Sequence, residues 1–168
     1  MTLQEFCNTL PKDRQIKLAI NLTKQALPIW DKYADNNILS YRDTVVGLSH
    51  TVPKQLLSDT INEIENRFAT QKFLRIIKDN SKLLKLYSYF DDPIVALQDS
   101  DWELPEQVKK TFYSVYNLIG SIIYKNITAI DESRLYVSIN QAIDAIKTAD
   151  ILSENQINQI LQQMKNGK

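Results

Sequence analysis

The chain has 168 residues, 43% of them hydrophobic and 24% charged, with twenty basic side chains balanced by twenty acidic ones. That is enough apolar material for one domain with its own core, and zero net charge gives no general attraction to nucleic acid or to an anionic membrane surface, so neither is an expected partner. A single cysteine leaves no disulfide framework or cysteine-zinc cluster. With no leader-like N-terminus and no apolar run of about 18 residues, the expected setting is cytoplasmic.

Only three glycines are present, against an average near 7% of residues, and no glycine-glycine hairpin signal occurs. The expectation is a single all-α domain spanning 1–168, a compact bundle of about seven or eight helices joined by short loops. In a first short helix Leu3, Cys7 and Leu10 share a face, which makes Cys7 a small buried hydrophobe rather than a nucleophile. Ile16, Ala19, Ile20, Thr23, Ala26, Leu27 and Trp30 then recur at helical spacing, with Pro28 either bending that helix or opening a new one. Asp35-Asn36-Asn37 reads as a stop in which asparagine takes the left-handed cap conformation, and Ser40-Tyr41-Arg42-Asp43 as the restart of a helix reaching Leu48. His50, the single histidine, follows that segment; no serine–histidine–acid or cysteine–histidine arrangement is legible, so it is read as a helix-end cap facing the negative end of the macrodipole.

Pro53 opens the next helix, whose stripe is Leu57, Ile61, Ile64 and Phe68. Between Lys72 and Lys85, Lys72, Arg75, Lys78, Lys82 and Lys85 face one acid, Asp79. Phe73, Ile76, Ile77, Leu84, Tyr87 and Phe90 supply an apolar stripe there, so the basic residues read as a solvated face rather than a nucleic-acid site. A break is expected at Asp91-Asp92-Pro93.

The segment YFDDPIVALQDSDWELPEQ is the outlier by charge. Asp91, Asp92, Asp99, Asp101, Glu103 and Glu106 occur without a lysine or arginine between Asp91 and Glu106. Three readings are open. A calcium loop would use the alternating Asp99, Asp101 and Glu103, but Pro105 follows and the central glycine is missing, so no metal or other cofactor is expected. Helix capping would assign Asp101 to the N-cap of a helix beginning near Leu104, Glu103 and Glu106 to its first turn, and Trp102 to an apolar staple, leaving Asp91, Asp92 and Asp99 unexplained. Docking of a basic protein partner would use Asp91, Asp92, Asp99, Asp101, Trp102 and Glu103 together, the tryptophan as anchor and the carboxylates for steering.

Beyond Pro105, the stripe Val108, Phe112, Val115, Tyr116, Ile119, Ile122 and Ile123 forms the strongest helix, with Tyr113, Tyr116 and Tyr124 in or at the rim of the core. Leu135, Ile139, Ala142, Ile143 and Ile146 form another. Asp150-Ile151-Leu152 breaks the pattern, and Ser153 with Gln156 reads as a capping box before Ile157, Ile160, Leu161 and Met164. That last narrow stripe is a candidate homo-oligomer face. The sequons at Asn21 and Asn126 carry no weight without secretion. No phosphate loop, dinucleotide fingerprint, zinc-protease helix or nucleophile elbow occurs, which favours a non-catalytic chain.

The order Leu27-Pro28-x-Trp30-Asp31, an acid-containing turn, and Arg42-Asp43-Thr44-Val45 resembles the N-terminal pattern of a family of all-helical proteins predicted to be immunity proteins of bacterial polymorphic toxin systems. The likeness covers roughly the first 60 residues. It implies stoichiometric binding that blocks a toxin, a protein partner that could be a basic toxin domain, no catalytic residue, and Trp30 and Arg42 as scaffold rather than contact positions.

Overall fold

The computed structural model describes residues 1–70, 81–123 and 131–168. Seven helices and one two-stranded antiparallel sheet occur among them: α1 Leu3–Thr9, α2 Lys12–Asn36, β1 Ser40–Arg42, β2 Ser49–Thr51, α3 Leu56–Thr70, α4 Ser81–Gln98, α5 Glu106–Ile123, α6 Glu132–Thr148 and α7 Glu154–Lys165. The largely all-α expectation holds. No helix among the described residues is long and apolar enough to cross a membrane. Lys72, Phe73, Arg75, Ile76, Ile77, Lys78, Asp79, Tyr124 and the Asn126 sequon lie outside the described residues.

The central helix is α2, buried around most of its circumference by Ile16, Leu18, Ala19, Leu22, Ala26, Ile29 and Trp30. It packs against α3, α5, α6 and α7, while α5 and α6 form the most extensive helix pair. Small residues let α5 and α6 approach: the Ser138 hydroxyl donates to the Ser114 carbonyl at 2.6 Å, and Ser114 and Ser121 donate to carbonyls one turn back, so no buried hydroxyl there is left without an acceptor. Helix starts follow local rules. Thr2 with Glu5 and Ser153 with Gln156 form capping boxes, and Asp131 accepts from the Arg134 amide at 3.1 Å.

Three local expectations fail, each for a physical reason, and at Pro28 one of two alternatives drops out. Pro28 does not open a new helix but lies inside α2 on its exposed face, where water can satisfy the carbonyl one turn back. Pro93 sits inside α4 instead of ending it, and its ring is buried beside Phe90, Ile94 and Leu97, so packing offsets the lost hydrogen bond. The α2 stop uses side-chain amides: Asn36 and Asn37 donate to the Lys32 and Tyr33 carbonyls at 2.7 and 2.9 Å, and Asn37 is extended at φ −137 rather than left-handed.

The third failure is the largest. Residues 40–51 form a hairpin, not a helix, with Ser40 opposite Thr51, Tyr41 opposite His50 and Arg42 opposite Ser49. The Val52 amide extends the pairing to the Leu39 carbonyl at 2.7 Å. Leu39 and Tyr41 are buried while Ser40 and Arg42 are exposed, a period of two that suits a strand. Asp43 accepts from the Val45 and Val46 amides at 2.8 and 3.1 Å, a local bond that competes with helix, and Gly47 supplies the left-handed φ of +73 that closes the turn.

Candidate protein-binding surface

The hairpin is joined to the helices through stacked rings. His50 stacks on its cross-strand partner Tyr41 with centroids 5.2 Å apart, and Tyr41 stacks on Trp102 at 5.6 Å. Trp102 meets Trp30 edge-on at 6.4 Å and Phe112 edge-on at 5.8 Å, and the series continues through Phe90 to Tyr116 and Tyr87. Trp30 is fully buried, and its indole N–H donates to the Lys54 carbonyl at 3.0 Å. Such ring pairs add roughly 0.5–1.5 kcal/mol each beyond the area they bury.

This arrangement changes the role of Trp102. At 6% exposure it offers almost nothing to a partner, and its ring is a floor that carries the hairpin. His50 caps no helix; it is a half-buried strand residue stacked on tyrosine.

The six sequence-selected residues lie on α4 and the connection to α5. Asp91 and Asp92 are exposed on α4, and Asp99 follows its last residue. Ser100, left-handed at φ 62, then turns the chain so that the Trp102 amide reaches back to the Ala96 carbonyl at 3.1 Å. Glu103 is exposed beyond it. Asp101 does not cap α5, which begins five residues later at Glu106. Its carboxylate accepts from the Thr44 hydroxyl at 3.0 and 3.2 Å and from the Thr44 amide at 3.4 Å, clamping the hairpin turn to the α4–α5 connection. Glu106 pairs with Lys109 at 3.1 Å. Among the described residues Asp91, Asp92, Asp99 and Glu103 enter no ion pair, and Lys82 from the basic stretch pairs with Glu63 of α3 at 2.9 Å. Burial pushes the Glu63 carboxyl up, but hydrogen bonds from Arg67 and Lys82 bring it below its usual value.

The hairpin also lies within electrostatic reach of Asp92. Burial, reinforced by the charges of Asp92 and Asp43, pushes the Tyr41 phenol up to about 12. The Val46 and Val45 amides, with help from His50, hold the Asp43 carboxyl below the ordinary carboxylate range. Sequence reasoning missed Tyr41, Thr44, Val45, Val46 and Leu48 as parts of this surface. Two signals were available: alternation through Leu39-Ser40-Tyr41-Arg42, and a run of β-branched residues, Thr44-Val45-Val46, ending on Gly47.

Other chemistry finds little support in the geometry. Asp99, Asp101 and Glu103 alternate in sequence without converging, and no group of three histidine, cysteine or acid side chains among the described residues could hold a metal ion. Burial pushes the Cys7 thiol up to about 11, far from the range of a reactive thiolate. A groove of about 840 Å³ runs between Tyr33 and Asn37 of the α2 end, Gln107 of α5, and Thr148 and Ile151 beyond α6, with Lys32 as its one charged lining residue. Ile157 and Met164 of α7 are buried in the chain's own core, and the Arg14 guanidinium donates to the Lys165 carbonyl at 2.9 Å, so the stripe considered for self-association is used internally. Comparison with protein-family models, curated proteins and solved structures found no match.

Proposed function

We propose that the chain is a non-catalytic protein-binding domain that occludes a basic partner, most concretely an immunity-type protein that neutralises a bacterial toxin in the cytoplasm by stoichiometric binding. The observation that supports this reading is the set of exposed carboxylates at Asp91, Asp92, Asp99 and Glu103, none paired with a cation among the described residues, beside a hairpin fixed to the same connection by Thr44 and Asp101. Exposed carboxylates without a cation of their own attract a basic partner and steer its approach. A toxin that cuts nucleic acid must carry a basic cleft to hold phosphates, and an acidic face on a rigid support is a suitable plug for it. The aromatic floor under the hairpin supports stoichiometric occlusion, because a pre-ordered surface loses little entropy on binding.

The test uses Asp91→Lys with Asp99→Lys, both exposed, leaving the Asp101 clamp intact. Tagged full-length chain is used to capture proteins from lysate of its own source cells, and the purified pair is then measured by stopped flow. The expected result is one stoichiometric basic protein whose association slows by about tenfold or more in the variant at low salt, the difference shrinking as ionic strength rises. A partner that binds both forms at the same rate, or recovery of the bait alone, would defeat the reading.

A further inference from the structure

The turn between β1 and β2 has the wrong composition for a solvent-facing turn. Turn positions favour glycine, proline, asparagine, aspartate and serine, yet Val45 is 91% exposed, Val46 66% and Leu48 58%, with Ile38 at the foot of the hairpin 84% exposed. Single exposed aliphatic residues are ordinary; three within four positions of one turn are a local conflict that nothing in the monomer repays.

The turn is nevertheless rigidly built. The Asp43 amide donates to the Leu48 carbonyl and the Gly47 amide to the Asp43 carbonyl, both at 2.8 Å. The Asp43 carboxylate takes the Val45 and Val46 amides, and Thr44 is held to Asp101. Every constraint on the tip comes from backbone or polar groups, leaving the aliphatic side chains free to face outward. Asp43 and Asp101 bind the turn itself, Asp92 lies within electrostatic reach of Tyr41, and Arg42 and His50 are the hairpin's own cationic or titratable groups.

We propose that this hairpin tip is the apolar anchor of the binding surface: Val45, Val46 and Leu48 enter an apolar cleft of a folded protein partner whose rim carries lysine and arginine. The inference rests on the protein-binding reading above and adds a mode of engagement to it. Charge complementarity selects the partner, since a cleft receiving the tip brings its rim against Asp43, Asp92 and Asp101. The division of labour is kinetic: the acids raise the rate of encounter, and the buried aliphatic tip slows departure.

The experiment places a photo-reactive benzoylphenylalanine at position 45, at position 99 or, as an exposed control, at position 163 of the full-length chain in its source cells, and maps the crosslinked peptides by mass spectrometry. The purified partner is then measured against Val45→Ser with Val46→Ser. Because both valines are exposed, thermal unfolding of this variant is expected to match the parent, and Val46→Thr, which keeps the shape, serves as a second variant. Support is an adduct at position 45 on a partner segment whose apolar residues neighbour lysine or arginine, together with about tenfold or greater acceleration of dissociation by the serine pair and little change in association. An adduct at position 99 without one at 45 overturns the hairpin anchor and leaves the acidic-face reading standing. An adduct between two copies of the chain overturns the anchor in favour of self-association, and no adduct at 45 or 99 above the control overturns both.

Discussion

Gly120 shows how one missing methyl group is used. It is buried in α5, and a Cβ built there would overlap the Arg134 guanidinium arriving from α6. Arg134 is not free to swing aside: it donates to the Tyr87 hydroxyl at 3.0 Å and to Asn117 at 3.3 Å, and lies 4.7 Å from the centroid of the Tyr116 ring. Gly120→Ala therefore sets a gain of about 1 kcal/mol in helix propensity against displacement of a side chain that links α4, α5 and α6. The displacement should win, leaving a net loss of about 1–3 kcal/mol in urea unfolding. In Gly120→Ala with Arg134→Ala the overlap disappears, so the pair should lose less than the sum of the two single changes. A stabilised single variant would show that Arg134 has another place to go. Asp101 and Trp102 carry a related lesson, because their chemistry was legible while their direction was not. A sequence shows an aspartate near a helix start and an indole among acids; only the fold turns the first toward Thr44 and the second toward Tyr41 and Trp30.

Among the elements the hairpin is the least self-sufficient, since two three-residue strands are marginal alone. What holds it is the Tyr41–Trp102 stack on one side and the Thr44–Asp101 clamp on the other. Thr44→Val keeps the shape of the side chain and removes its hydroxyl. Hydrogen exchange at the Asp43 and Gly47 amides should then speed up several-fold, while global stability falls by only about 1 kcal/mol. Equal acceleration throughout the α5–α6 core would mean that the clamp supports the whole fold rather than the turn. The helices were legible because their stripes are long: Val108 to Ile122 and Leu135 to Ile146 each bury one continuous face, and periodicity over that length outweighs local ambiguity. The hairpin was not, because each strand spans too few residues for a period of two to stand out, and Ser40 with Asp43 imitates a helix start. Pro93 misled for a similar reason. Whether a proline breaks a helix depends on what its ring touches and where the freed carbonyl points, and both are tertiary facts at Pro28 and Pro93.

At the scale of the whole molecule, net charge and charge distribution part company. Twenty positive and twenty negative side chains cancel, yet the stretch from Asp91 to Glu106 holds six acids and no lysine or arginine, and only Glu106 among them forms an ion pair in the described residues. A neutral molecule with one such face should orient on a cationic surface and bind it more strongly than its net charge allows. Anion exchange near neutral pH tests this directly, provided net charge is controlled. Asp91→Lys with Asp99→Lys and Asp13→Lys with Asp59→Lys change the total equally, and all four sites are exposed, but only the first pair lies in the acidic face. The patch variant should lose retention and elute well before the control variant, with the gap closing as salt shortens the screening length toward a few ångströms. Coincident elution would mean that the matrix senses only total charge, and that the acids do not act together as a surface. Separation would show that a chain neutral overall still presents an anionic face, which is the property an encounter with a basic cleft requires.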